Sequence, residues 1–183
     1  MKQVAPTDLS EPLKTLEVTI TYLEQLSRPS VPPPPAPLGK VALLKCERPP
    51  IAFYRHLFDA VGSPHHWVSR RYLSDEALAA KIYADTAEIY VLYKDGWPAG
   101  WAELDLSEKH IIAIKFFGLV PEAQGARLGR WFFYELLSMI WARSPVRVQI
   151  ETCSADHPAA LRLYQRMGFS PYDQAYGKID WYG

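Results

Sequence analysis

Residues 116–137, FFGLVPEAQGARLGRWFFYELL, place an apolar strand, a glycine-containing loop and an amphipathic helix in immediate succession. The strand pattern ends at Val120, because Pro121 lacks the backbone N–H that strand pairing needs. After the loop, apolar side chains recur at helical spacing from Leu128 to Ile140. The segment therefore predicts a sheet with a helix packed on it, joined by a short loop at the end of a strand.

The start of that helix is suited to an anion. The first backbone N–H groups of a helix have no partner within it, and the helix dipole adds partial positive charge there. Gly125 would let the backbone approach a ligand closely, and Arg127 and Arg130 would add positive charge. The loop matches neither of the two common nucleotide-binding glycine patterns. Taken alone, it leaves open a phosphate-binding loop and a plain glycine turn.

The rest of the chain predicts a single α+β domain. Strands are expected at 16–26, 41–46, 110–120 and 146–152, a hairpin at 88–106 around Asp95-Gly96, and a last strand pair within 172–183. Helices are expected at 51–61, ended by Gly62, from the cap Ser74 onward, at 124–143 and at 158–167. Residues 1–14 form a polar tail, and 15–183 form the domain. Within it, 29–37 is a proline-rich stretch, either a stiff connector, which we favour, or a docking segment.

Charge and composition exclude several classes of protein. Twenty basic and 20 acidic residues give zero net charge, whereas nucleic-acid and anionic-membrane partners demand a basic excess. No apolar run reaches the ~18 residues of a membrane span, and the first residues do not resemble a signal peptide. Two cysteines fit a reducing compartment, so we expect a cytoplasmic protein. No metal is expected, since the adjacent His65 and His66 lack an obvious third ligand.

Residues 152–169, TCSADHPAALRLYQRMGF, carry a second informative pattern. Asp156 or His157 is expected to cap a helix that begins with Pro158. Tyr164 lies on the apolar face of that helix. It either fills the core or presents a phenol that donates a proton in a cleft.

Together the two segments resemble the GNAT superfamily of N-acetyltransferases. Residues 124–129, QGARLG, resemble its Q/R-x-x-G-x-G/A acyl-CoA signature, and residues 156–169 resemble its second motif, which ends in L-Y-x-x-x-G-F. Two departures stand out: Arg127 replaces the central glycine, and His157 replaces a frequent asparagine. The resemblance extends over most of the chain from about Leu16. It implies a mixed central sheet of about six to seven strands flanked by about four helices.

The resemblance also implies an enzyme that transfers an acetyl group from acetyl-CoA directly to a primary amine. The implied acetyl-CoA contacts are Leu119, Val120, Gln124, Gly125, Ala126, Arg127, Leu128, Gly129, Arg130, His157, Ala160 and Tyr164. Tyr164 matches the tyrosine that protonates the departing thiolate. The strand 110–120 lacks the glutamate that some relatives use as a base. Glu103 is therefore the first candidate for the base, with Glu151 and Asp156 as alternatives. The non-catalytic interpretation is that Glu103 is an exposed glutamate on a strand.

The sequence says less about the residues that bind the acceptor than about those that bind acetyl-CoA. Tyr54, Trp67 and Arg70 are candidate substrate-binding residues, and the acceptor is expected to be a small-molecule or peptide amine. A homodimer is compatible with the sequence. The rival function is a non-catalytic acyl-CoA-binding sensor or interaction module of the same fold.

Overall fold

A computed structural model of the chain describes residues 11–125 and 127–182. Most of the predicted tail and the signature residue Ala126 lie outside the described residues. Within the described part, no helix is long and apolar enough to cross a membrane.

Seven strands of the described residues form one sheet in the order β2-β3-β4-β5-β6-β1-β7. The strands are β1 Lys14–Gln25, β2 Val41–Lys45, β3 Ala87–Lys94, β4 Trp97–Asp105, β5 Ile111–Leu119, β6 Arg147–Cys153 and β7 Ser170–Trp181. All neighbouring pairs are antiparallel except β5 and β6. The predicted α+β class and mixed sheet are confirmed.

Four α-helices accompany the sheet: α1 Ile51–Gly62, α2 Asp75–Ile82, α3 Leu128–Trp141 and α4 Ala160–Arg166. Short 3₁₀ turns follow α1 at Ser63–His65 and β5 at Pro121–Ala123. The predicted cap of α2 is present, because the Ser74 side chain accepts a hydrogen bond from the Ala77 N–H at 3.2 Å.

The two faces of the sheet carry separate aromatic clusters, which begin at consecutive residues of β5. Phe116 packs against Phe58 of α1, with 5.3 Å between ring centroids. Phe117 packs on the other face against Phe132 and Phe133 of α3, at 4.8 and 4.7 Å. The helix pairs α1/α2 and α3/α4 therefore cover opposite faces, and β5 lies between the two cores.

The strands β5 and β6 part halfway along their length. They pair from Ile111 to Ile114 and from Arg147 to Ile150. Beyond this point β5 pairs only with β4, and β6 continues against β1. A register shift in β5 lies at the same point: Glu103 of β4 faces Phe116 and the next residue faces Ile114. The sheet is open between the two parallel strands.

Two elements begin later than the sequence pattern suggests. The helix expected at 124–143 starts at Leu128, because Gly125 (φ +81°) and Arg127 (φ +58°) take left-handed conformations that a helix cannot include. The helix expected from Pro158 starts at Ala160. His157, one of the two predicted caps, accepts a hydrogen bond through its side chain from the Ala159 N–H at 3.1 Å, in the turn that precedes the helix. Asp156 instead accepts hydrogen bonds from the preceding strand end.

One further expectation is wrong. The last strand pair is one strand, since β7 follows the 12-residue β1 along nearly its whole length and leaves no room for a turn. Gly62 is the last residue of α1, as expected, although its φ is −88° and the chain continues directly into the 3₁₀ turn. Residue 62 is glycine because there is no room for a side chain: a Cβ on it would lie 2.6 Å from the Trp67 Cβ.

Candidate functional site

A cavity of about 1070 Å³ occupies the gap between β5 and β6. Its walls come from the outer ends of β5 and β6, the loop that follows α1, the loop before α3, and α4. Because β6 has turned away, the edge of β5 from residue 115 to 119 has no strand partner on that side among the described residues. Its backbone N–H and C=O groups can therefore bond an extended ligand.

The loop before α3 forms one end of this cavity. Gly125 is exposed, and a Cβ built on it would meet no atom within 4 Å, so the backbone is open to a ligand. Arg127 is the residue immediately before α3 and is exposed. Its left-handed backbone favours glycine, which agrees with the glycine of the resembled signature. The arginine thus occupies a strained position beside the first free N–H groups of α3.

The charged residues that line the cavity are mostly basic. Lining residues with positive side chains outnumber acidic ones: Lys115, Arg127, Arg130, Arg162, Arg166 and Lys178 against Glu151 and Asp156. Arg127 and Arg130 lie at the start of α3, where positive charge suits a ligand with several phosphate groups. Although the net charge of the chain is zero, positive charge is therefore concentrated at this cavity.

Tyr164 contributes to both the core and the cavity. Its ring packs against Phe133 in a tilted arrangement, with 5.0 Å between centroids, and the residue is 5% exposed. Burial, with a smaller contribution from the negative charge of Asp156, raises the pKa of the Tyr164 phenol above its ordinary value. The phenol therefore carries its proton at neutral pH, as a hydrogen-bond donor must.

The Glu103 carboxylate lies away from the cavity, in a buried cluster beneath α1. One oxygen accepts a hydrogen bond from the Tyr54 hydroxyl at 2.6 Å, and the other accepts from Arg70 at 2.8 Å. Glu103 is 3% exposed, and none of these three side chains lines the cavity. Burial and the neighbouring carboxylate raise the pKa of Tyr54. This geometry is that of a structural ion pair and lends no support to Glu103 as the base or to Tyr54 and Arg70 as acceptor contacts.

Trp67 joins the two sides of the cavity. Its ring packs on Phe116 at 5.2 Å, and its indole N–H donates to Asp156 at 3.1 Å. Asp156 also accepts from the Thr152 hydroxyl at 2.8 Å and the Cys153 N–H at 2.9 Å. The loop after α1 is thereby tied to the loop after β6.

His65 also lines the cavity, although the sequence pattern predicts no catalytic role for it. Its ring lies against His157, with 5.8 Å between centroids, while the neighbouring His66 packs on Trp181. The two rings therefore have different partners. In the described part of the chain, no group of three or more His, Cys, Asp or Glu side chains is arranged to hold a metal ion.

Most of the predicted ligand contacts meet at this cavity: Leu119, Gln124, Gly125, Arg127, Leu128, Gly129, Arg130, His157, Ala160, Tyr164 and Trp67. Val120 is separate, because it is 7% exposed and its N–H donates to the Ala99 carbonyl at 3.1 Å. The roles of all these residues in ligand binding are predictions.

The parted parallel strands, the loop before α3 and the helix order define a domain of the acetyltransferase type. The sequence model of the Acetyltransferase (GNAT) family matches residues 51–169, well over half of the chain. The chain belongs to this family, whose members typically use acetyl-CoA. Comparison with curated protein sequences gives no match.

Solved structures share the fold at low sequence identity. A GCN5-related N-acetyltransferase from Sphaerobacter thermophilus is 16% identical, with a TM-score of 0.63, over 89% of this chain and 52% of its own. One from Kribbella flavida is 15% identical, with a TM-score of 0.58, over 96% and 59%. The ribosomal-protein-S18-alanine N-acetyltransferase from Escherichia coli is 16% identical, with a TM-score of 0.60, over 79% and 97%. This chain thus spans little more than half of the first two proteins.

Proposed function

We propose that the protein transfers an acetyl group from acetyl-CoA to a primary amine by direct attack in a ternary complex, and that it does so in the cytoplasm. The observation that carries this proposal is the parting of β5 and β6. Within the described residues it leaves one edge of β5 without a strand partner, beside a cavity whose charged lining is mostly basic. Family membership supports acetyl transfer in general. The primary amine and the ternary complex are our inference from the family resemblance.

The residues at the α3 loop fit the phosphates of CoA. The open backbone at Gly125, the free N–H groups at the start of α3, and Arg127 and Arg130 would hold the pyrophosphate. The free edge of β5 near Leu119 would bond the amides of the pantetheine arm. Bound acetyl-CoA supplies a thioester whose carbonyl the amine attacks and whose sulfur leaves as a thiolate. Tyr164 would donate a hydrogen bond to that sulfur.

Acetyl-CoA should stabilise the native protein, since the unfolded chain has no such cavity. At about 100-fold excess over Kd, the expected gain in the free energy of unfolding is about 2.7 kcal/mol. A thermal-shift series with acetyl-CoA, with free pantetheine as the control that lacks phosphates, measures it. No shift at millimolar acetyl-CoA would contradict the proposal.

Arg127 provides a sharper test of the loop. If its guanidinium pairs with a phosphate, Arg127→Ala should weaken acetyl-CoA binding by about 1.5–3 kcal/mol. Arg127→Gly should weaken it less, because glycine accepts the left-handed backbone without strain and restores the family residue. Calorimetric titration of the three proteins measures this. Equal affinities would mean that the side chain points to solvent.

An assay must distinguish an enzyme from a non-catalytic acyl-CoA sensor. A sensor would show the same stabilisation by acetyl-CoA without release of free CoA thiol. The assay is thiol release in the presence of a panel of amines, with the protein omitted as control.

A further inference from the structure

His65 is held at the cavity by groups from a second loop. It ends the 3₁₀ turn Ser63–His65, which follows α1, and it is half-buried. The β6–α4 loop packs against it and brings Asp156, His157 and the Ala155 backbone. The adjacent His66 is a further titratable group near it.

This environment leaves one ring nitrogen of His65 able to accept a proton. A neutral imidazole carries its proton on one ring nitrogen and has a free lone pair on the other. Burial, opposed by the charge of Asp156, lowers the pKa of His65 below its ordinary value near 6.5. The ring is therefore neutral at pH 7.

Asp156 connects His65 with Tyr164. Its negative charge acts on both the His65 ring and the Tyr164 phenol. Three hydrogen bonds, from Trp67, Thr152 and the backbone N–H of Cys153, hold the carboxylate in place. A proton-accepting ring, a proton-donating phenol and one fixed carboxylate thus line the same cavity.

We propose that His65 is the general base that deprotonates the ammonium form of the acceptor; this rests on the proposed acetyl transfer. An N–H proton of the ammonium passes to the free ring nitrogen, and the electron pair of that N–H bond becomes the lone pair of the amine. The imidazolium that forms is stabilised by the negative charge of Asp156. Its proton then leaves to solvent, which restores the neutral ring.

The other carboxylates are less suited to this step. Glu103 is buried, lies outside the cavity and accepts from Arg70 and Tyr54. Asp156 already accepts three hydrogen bonds, so it orients its neighbours. Glu151 lines the cavity but is exposed to solvent.

The test uses His65→Gln with His66→Gln as the matched control, because the two histidines are adjacent and both line the cavity, but only the His65 ring packs on His157. The probes are 2-phenylethylamine, a cation at neutral pH, and phenylhydrazine, which is uncharged there. Both suit the aromatic wall made by Trp67 and Phe116. We expect His65→Gln to lower kcat/KM for 2-phenylethylamine at pH 7 by about 10²-fold or more and to spare phenylhydrazine.

The pH profile gives a second readout. In the wild type, kcat/KM for 2-phenylethylamine should rise with pH as His65 loses its proton, with a midpoint below about 6.5. NMR titration of the His65 ring in the protein without ligand should give the same midpoint. In His65→Gln, the rise should move up towards the pKa of the amine itself. His66→Gln should keep the wild-type profile.

The outcomes separate this role from the acetyl transfer on which it rests. An active wild type whose kcat/KM and pH profile are unchanged in His65→Gln would overturn the role of His65 alone. A wild type that binds acetyl-CoA but acetylates neither probe would overturn the transfer to amines, and the base with it. Acetyl-CoA affinity measured in both variants shows whether the cavity is intact.

Discussion

Tyr164→Phe is expected to lower kcat by about 10²- to 10⁴-fold, the usual contribution of a general acid. The substitution removes only the hydroxyl and keeps the ring that packs on Phe133 and Phe169. Acetyl-CoA affinity and Tm should therefore change little. Single-turnover and steady-state kinetics on the best amine, with calorimetric binding of acetyl-CoA, measure the three quantities.

The control for this prediction is a tyrosine of similar chemistry away from the cavity. Tyr83 donates its hydroxyl to the Pro49 carbonyl at 2.9 Å, so Tyr83→Phe should cost about 1 kcal/mol of stability and leave kcat unchanged. If Tyr164→Phe behaved in the same way as Tyr83→Phe, its phenol would be a packing residue and the thiolate would leave without protein assistance.

Arg70→Met is expected to destabilise the fold by about 3–5 kcal/mol, because it leaves the Glu103 carboxylate buried without its positive partner. For a chain of this size, that lowers Tm by roughly 10 °C. Urea unfolding followed by circular dichroism measures the change in the free energy of unfolding.

Two variants show whether buried charge is the cause. Arg70→Met combined with Glu103→Gln removes both charges and should recover most of the lost stability. Asp59→Asn breaks a more exposed pair with Arg71 and should cost less than about 1 kcal/mol. A double variant as unstable as Arg70→Met would mean that lost packing of the arginine, rather than unpaired charge, is responsible.

Local patterns predicted the elements well where a few adjacent residues decide the conformation. The hairpin turn at Asp95-Gly96 has positive φ at both residues, as the Asp-Gly pair indicates. The cap at Ser74 is another such case. By contrast, β7 was predicted as two strands, because its single long pairing depends on β1, some 155 residues earlier in the chain.

The part of the candidate site that could be predicted from the sequence consists of the signature loop and Tyr164. The buried Arg70–Glu103 pair was not, because the alternation around Glu103 cannot show which distant arginine reaches it. His65 was missed for a related reason. It lies in a short turn without periodicity, and only the folded chain brings it to Asp156 and His157.

Mass spectrometry of the complete reaction tests the central claim most directly. With acetyl-CoA and an accepted amine, direct transfer predicts one acetyl group on the amine for each CoA thiol released. The intact mass of the protein should stay unchanged throughout, including when the amine is left out. Acetyl-CoA binding without amine-dependent thiol release would contradict catalysis, and an acetylated protein formed before the amine is added would contradict direct transfer.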